Sequence, residues 1–207
     1  MQKIVTTKNF NSIFQQCDRA RTYKKLIAIT GNEGTGKTIA LQQYERDNEN
    51  TFKIHCLKTM KAKELLTAIL FSLGESFTGS PYQMTFKIAE ILNSKEKPLL
   101  MFDEISTLGV SHLIYIKDIW DMVENNCGIV LCGQHYFITN LEKAVSKFKV
   151  GMPEFLSRIS SFTELDEITN QEIEYICKEN GIEDCNKYFN LPNFRVLSNI
   201  IKNLKEE

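Results

Sequence analysis

The stretch Leu26-Ile27-Ala28-Ile29-Thr30-Gly31-Asn32-Glu33-Gly34-Thr35-Gly36-Lys37-Thr38-Ile39-Ala40-Leu41-Gln42-Gln43-Tyr44 decides the fold. Its centre, Gly31 to Thr38, satisfies the phosphate-loop pattern G-x-x-x-x-G-K-[ST] at every fixed position. The apolar run 26–30 suits a buried strand, and the residues from 39 onward continue as a helix, so the motif stands in its proper strand-loop-helix context. The bland alternative is a glycine turn that meets the pattern by chance. Glycines at 31, 34 and 36 let backbone N–H groups face phosphate oxygens, backed by the positive end of the helix. Gly31, Asn32, Glu33, Gly34, Thr35, Gly36, Lys37 and Thr38 are therefore the expected ATP-binding set. Lys37 is expected to reach the β and γ phosphates, and the Thr38 hydroxyl to ligate Mg²⁺, a hard cation that takes oxygen donors.

Hydrolysis needs a second element. Lys97-Pro98 closes a helical stretch, and Leu99-Leu100-Met101-Phe102 then reads as a fully buried parallel strand that delivers Asp103-Glu104. Open parallel sheets bind ligands at the carboxyl ends of their strands. Asp103 is accordingly expected in the Mg²⁺ shell opposite Thr38, with Glu104 placed to polarise an attacking water. An acidic pair after four apolar residues also occurs at exposed strand ends by chance, but its place downstream of a phosphate loop favours a Walker B strand.

Composition permits this without deciding it. With 207 residues, 43% of them hydrophobic, the chain can bury one sizeable core and carry a small appendage. A net charge of −1 leaves no overall electrostatic footprint for nucleic acid. Cysteines at 17, 56, 127, 132, 177 and 185 include no C-x-x-C pair and read as buried thiols of a reducing compartment. His55, His112 and His135 lack paired metal spacing, which argues against zinc. No apolar run approaches the roughly 18 residues of a membrane span, so the expected location is cytoplasmic, without a membrane partner.

Along the chain, a helix is expected over 8–22, with Phe10, Ile13, Phe14 and Cys17 on one face beside the nucleotide site. Strand 25–30, helix 37–48, strand 51–56 and a helix from Ala62 to Leu73 follow, then a helix from Pro81 to Asn93. After the Walker B strand come a loop over 105–110, a helix over 111–125, strand 128–132, helices over 136–149 and 152–158, and a final strand 161–165. Trp120 falls in an apolar stripe and reads as core, not as a base-stacking platform. Alternating strands and helices of this length imply a parallel sheet with right-handed crossovers, covered on both faces. From Asp166 the pattern becomes helical: Thr169 or Asn170 caps one helix, and a second begins near Pro192-Asn193, together forming a small lid. The expected division is an N-terminal helical segment 1–24, a core 25–165 and a lid 166–207.

Taken together, these elements resemble the AAA+ branch of phosphate-loop ATPases over almost the whole chain. Within it they are most similar to the Mu-type transposition protein B group, with transposon target-selection regulators as neighbours. The segments that carry this are Ile29 to Thr38, Phe102-Asp103-Glu104 with Leu108-Gly109, and Leu131-Cys132-Gly133-Gln134-His135 with Phe155-Leu156-Ser157-Arg158-Ile159. The resemblance implies an α/β fold with a five-stranded parallel sheet flanked by helices and a small C-terminal helical lid. It also implies that Arg158 serves as an arginine finger for a neighbouring subunit's γ-phosphate, and that Arg195 reaches back from the lid as sensor 2. A guanidinium suits both roles because it stays charged and forms forked hydrogen bonds; surface salt bridges are the plain alternative. Gln134 stands where the family places sensor 1, a shorter polar residue as a rule, so it either orients water or is a structural turn residue.

Mu-type protein B carries a helix-turn-helix region ahead of its ATPase core, whereas only residues 1–24 precede the first strand here, so no separate reader domain is expected. The family's other route is assembly with ATP into a homo-oligomeric ring or helical filament whose inner loops touch double-stranded DNA. Lys58, Thr59, Lys61, Lys63 and Lys117 are the candidate contacts, sequence-tolerant and salt-dependent; on charge alone a merely solvated face is the favoured reading of the lysines. The implied function is a DNA-binding ATPase that regulates transposition through a transposase or recombinase. The alternative is a nucleotide-gated switch acting on a protein partner in secretion, helicase loading or defence. A small-molecule kinase shares the phosphate loop, but Glu104 and the two downstream arginines speak against it.

Overall fold

The computed structural model describes residues 5–206. Strands Leu26–Thr30 (β1), Thr51–His55 (β2), Leu99–Asp103 (β3), Gly128–Gly133 (β4) and Ile159–Glu164 (β5) form one sheet in the order β2-β3-β4-β1-β5. Every neighbouring pair is parallel, as expected. The helices are Lys8–Tyr23 (α1), Lys37–Asp47 (α2), Ala62–Ser72 (α3), Pro81–Ser94 (α4), Val110–Val123 (α5), Tyr136–Ser146 (α6), Met152–Arg158 (α7), Asn170–Glu179 (α8) and Phe194–Glu206 (α9).

Successive side chains of a strand point to opposite faces. Leu26 and Ala28, Leu100 and Phe102, and Ile129 and Leu131 therefore pack on one face with α3, α4 and α5. Ile27 and Ile29, Leu99 and Met101, and Val130 and Cys132 pack on the other, with α1 and α2. Burial on both faces explains why β1, β3 and β4 are unbroken apolar runs, while β2 and β5, at the edges, are only partly covered. Phe102 is fully buried at the centre of the larger cluster. Phe102→Ala is expected to destabilise the fold by about 3–5 kcal/mol, read from the urea midpoint at unchanged slope.

Helix α1 is not set apart from this core, because Ile13, Cys17 and Ala20 share the second cluster with Ala40, Leu41 and Tyr44 of α2. The chain beyond residue 166 has its own apolar cluster, built from Ile173, Ile176, Cys177, Cys185, Leu197 and Ile201, against which Val5 also packs. Asn9, nearly fully buried, ties α1 to the start of this lid: its Nδ2 donates to the Asp166 carbonyl at 2.7 Å and its Oδ1 accepts from the Asp166 N–H at 3.2 Å. Lys8 adds an ion pair to Asp166.

Several boundaries differ from the sequence expectation. The helix expected to reach 149 stops at Ser146, and Phe148, at φ 52° and largely exposed, turns the chain without a glycine or proline to announce it. β5 begins at Ile159, directly after α7, because a register shift between Leu26 and Ile27 lets both Ile159 and Ser161 pair with β1. The expected loop after Glu104 contains a 3-10 turn over Ile105–Thr107, and a second, Cys185–Tyr188, lies between the lid helices. All six cysteines are buried free thiols, and burial pushes those of Cys56 and Cys127 up to about 12.

Candidate nucleotide site

In the sheet order, only β4 separates β1 from β3, so the carboxyl ends of three adjacent strands bring Gly31, Asp103 and Gly133 to one edge. The loop leaves β1 with the Gly31 N–H still donating to the Gly133 carbonyl at 3.2 Å. Gly34 and Gly36 both take positive φ, 70° and 88°, a conformation that a side chain at Cβ strains. Gly31 does not; there a Cβ would meet the Cβ of Leu165 at 2.9 Å, so close packing, not backbone freedom, excludes a larger residue.

Lys37 is buried and folded onto its own loop, donating to the carbonyls of Gly31 (2.9 Å) and Asn32 (2.6 Å) and to Thr35 Oγ1 (3.2 Å). Burial lowers its pKa below the usual lysine range, against the pull of Glu104 and Asp103. The exposed side chain of Asn32 turns toward the lid linker, its Nδ2 lying 3.3 Å from Glu167 Oε1, while Glu33 lines the cavity beside the loop.

Thr38 Oγ1 donates to Asp103 Oδ1 at 3.3 Å. Asp103 has no solvent exposure, and its Oδ2 lies 3.4 Å from His55 Nδ1 and 4.0 Å from Lys53 Nζ. A hydroxyl and a buried carboxylate, oxygen donors side by side at the foot of a phosphate loop, fit a small hard cation that keeps its waters. Glu104 follows in the left-handed region at φ 60°, uncommon for a residue with a side chain, which turns the chain out of β3 at this point.

Lys37, Thr38, Glu104, Gln134 and Arg195 line one cavity of about 310 Å³. Gln134 comes from the end of β4, where its N–H donates to Ser106 Oγ at 2.6 Å. Arg195 comes from the first turn of α9, which is anchored on the loop itself: Asn193 Oδ1 accepts from the Val196 N–H at 3.1 Å, and the Phe194 N–H donates to the Gly34 carbonyl at 3.0 Å. A second cavity, about 290 Å³ and apolar, adjoins the first; Val5, Phe10, Ile176 and Leu197 line it, and Gly36, Ile39 and Phe194 belong to both. The pair offers a polar compartment for an anionic tail and an apolar one for a flat head group.

Arg158 lines neither cavity. It ends α7 with Nε donating to Asp121 Oδ1 at 2.9 Å, its side chain about one-third exposed. Asp121 also accepts from Lys117 Nζ at 2.9 Å, and Lys117, only 18% exposed, is held by Asp118 at 3.2 Å as well. Of the residues suggested for DNA, Lys117 thus has its charge already matched, whereas Lys58, Thr59 and Lys61, between β2 and α3, and Lys63, in the first turn of α3, are exposed. Sequence reasoning passed over Lys53 and His55, which come to Asp103 through strand pairing, and over Asn193 and Phe194, which dock the lid on the loop. The alternation of Thr51, Lys53 and His55 on one side of β2 was the available signal, but using it required the strand order.

The AAA domain family model matches residues 20–141, more than half of the chain. The chain belongs to the AAA domain family. It is an ATPase of the AAA+ type, and its sheet flanked by helices is the fold of that type. The ATP-dependent target DNA activator B of Escherichia phage Mu is 23% identical over 175 residues, 84% of this chain and 55% of that protein; the activator of the same name from Escherichia phage D108 matches to the same extent. The AAA+ chain spans about half the length of these curated relatives. Among solved structures, the replication initiator DnaA bound to AMPPCP and single-stranded DNA superposes with a TM-score of 0.63 at 17% identity, over 99% of this chain and 63% of that one. A Walker-type ATPase of Pyrococcus abyssi does so with a TM-score of 0.56 at 14% identity, over 96% and 63%. At these identities the two superpositions speak for the fold alone.

Proposed function

We propose that this AAA+ domain binds Mg²⁺ and ATP between the phosphate loop and the acids of β3, hydrolyses ATP when copies of the chain assemble, and in its ATP state holds duplex DNA to regulate transposition. The observation that carries the ATPase chemistry is the single cavity shared by Lys37, Thr38, Glu104, Gln134 and Arg195. The direction toward transposition comes from the likeness to target DNA activators over 84% of the chain.

In this reading the adenine lies in the apolar compartment between Phe10 and Leu197, with the phosphates against the loop. Lys37 leaves its loop carbonyls for the β and γ phosphates, and Arg195 meets the γ-phosphate from the lid. Thr38 and Asp103 would hold the magnesium, which supplies charge neutralisation to the transferred phosphoryl group. Glu104 takes the proton of the attacking water and Gln134 orients it. Arg158 reaches a neighbouring copy's site once assembly draws it from Asp121. The partners are then further copies of the chain in a ring or filament, double-stranded DNA, and a transposase or recombinase.

Fluorescence anisotropy with labelled duplex tests the DNA part. With a non-hydrolysable ATP analogue, binding is expected, and log K should fall linearly with log salt by about 0.9 for each phosphate neutralised. Exchanging Lys58, Lys61 and Lys63 for Gln should flatten that slope, and Lys117→Gln should leave it. The absence of binding at low salt would favour the second reading, a nucleotide-gated switch on a protein partner, which the net charge of −1 and the matched charge of Lys117 support.

A further inference from the structure

We propose that Lys53 is the counter-ion of Asp103 in the metal-free protein and that its positive charge sets how tightly the site takes magnesium. This rests on the reading of Asp103 and Thr38 as the metal's protein ligands.

Strand pairing creates the contact. β2 and β3 run parallel with Lys53 opposite Met101 and His55 opposite Asp103, so the side chains of 53 and 55 share a sheet face with that of 103. The Asp103 carboxylate is divided between two neighbourhoods. Oδ1 faces Thr38 on the phosphate loop; Oδ2 faces His55 and Lys53 on β2. A fully buried carboxylate without a balancing charge is strongly disfavoured. Lys37 feels the charge of Asp103 but directs its hydrogens to Gly31, Asn32 and Thr35, so among the described residues Lys53 is the lysine whose ammonium pairs with the carboxylate, at 4.0 Å. Lys53 is held in place for it: its side chain is only 15% exposed, and its backbone N–H donates to Glu45 Oε1 of α2 at 2.7 Å.

The same charge opposes a dication. Magnesium seated between Thr38 and Asp103 Oδ1 would feel the Lys53 ammonium across the carboxylate, in surroundings far less screened than water. Removing that ammonium destabilises the metal-free form, where Asp103 keeps Thr38 and His55 but loses the lysine charge, and favours the metal-bound form, where a repulsion disappears. Both effects tighten metal binding, although Lys53 touches neither metal nor nucleotide. A lysine with a merely structural role would weaken both forms alike and leave the affinity unchanged or lower.

The test uses the full chain as its ADP complex, with magnesium affinity read from displacement of Mn²⁺ in EPR titrations and melting followed with and without Mg²⁺ and ADP. Lys53→Met is expected to bind Mg²⁺ about tenfold more tightly than the native protein, to melt lower without metal, and to gain more on loading. Lys53→Gln, which keeps a polar tip at the surface, carries the same expectation should the Met variant not fold. Lys53→Arg should retain the native affinity. Unchanged or weaker magnesium binding by a folded Lys53→Met or Lys53→Gln overturns the role of Lys53. A native protein whose ADP binding ignores magnesium overturns instead the reading of Thr38 and Asp103 on which the role depends.

Discussion

Glu104→Gln is expected to retain Mg²⁺ and ATP while turnover falls by about 10²–10⁴-fold, the range that a positioned general base supplies. The substitution keeps the size of the side chain and its amide can still hydrogen-bond, so the turn at φ 60° and the lining of the cavity should survive. Only the ability to accept a proton from water is removed. Because nucleotide stays bound, the variant should accumulate in the assembled, ATP-loaded state. Phosphate release in single turnover, measured beside nucleotide retained on the protein, checks both halves. Native turnover by the variant would mean that the acid after β3 is not the base.

Arg158→Ala is expected to lower assembly-dependent turnover by about 10³–10⁵-fold, the range associated with arginine fingers, without loss of nucleotide binding. The geometry gives this expectation a specific form. In the isolated chain Arg158 lies outside the nucleotide cavity and pairs with Asp121, so it has no part in its own subunit's site. A mixture of Arg158→Ala and Glu104→Gln chains should therefore recover activity, because an intact Glu104 from one variant can meet an intact Arg158 from the other at mixed interfaces. Each variant alone stays inactive. Failure of the mixture to recover, with co-assembly shown by light scattering, would place Arg158 outside the reaction.

The candidate site was legible where its proposed chemistry is confined to a short stretch. Gly31 to Thr38 and Asp103-Glu104 each announce themselves because a phosphate tail and a metal need fixed residue types within a few positions. The sheet was legible because β1, β3 and β4 are buried on both faces and so read as continuous apolar runs. What escaped depends on contacts between distant segments. Lys53 reads as an ordinary solvated lysine until β2 is laid beside β3 in register, and Asn193 reads only as a helix cap until Phe194 is found on the Gly34 carbonyl. The end of α6 escaped for a different reason. After Leu141 and Val145, Phe148 continues the apolar rhythm past Ser146, and the left-handed turn at Phe148 has no sequence signal of its own. Arg158 is intermediate: its place at the end of α7 was foreseen, its pairing with Asp121 was not.

The most direct measurement is titration calorimetry of the folded chain with Mg²⁺ and a non-hydrolysable ATP analogue, beside Lys37→Ala of equal helicity. The expected result is saturable uptake of one nucleotide per native chain that is lost in the variant. No uptake by the native chain, or equal uptake by Lys37→Ala, would contradict a triphosphate seated on the loop between β1 and α2.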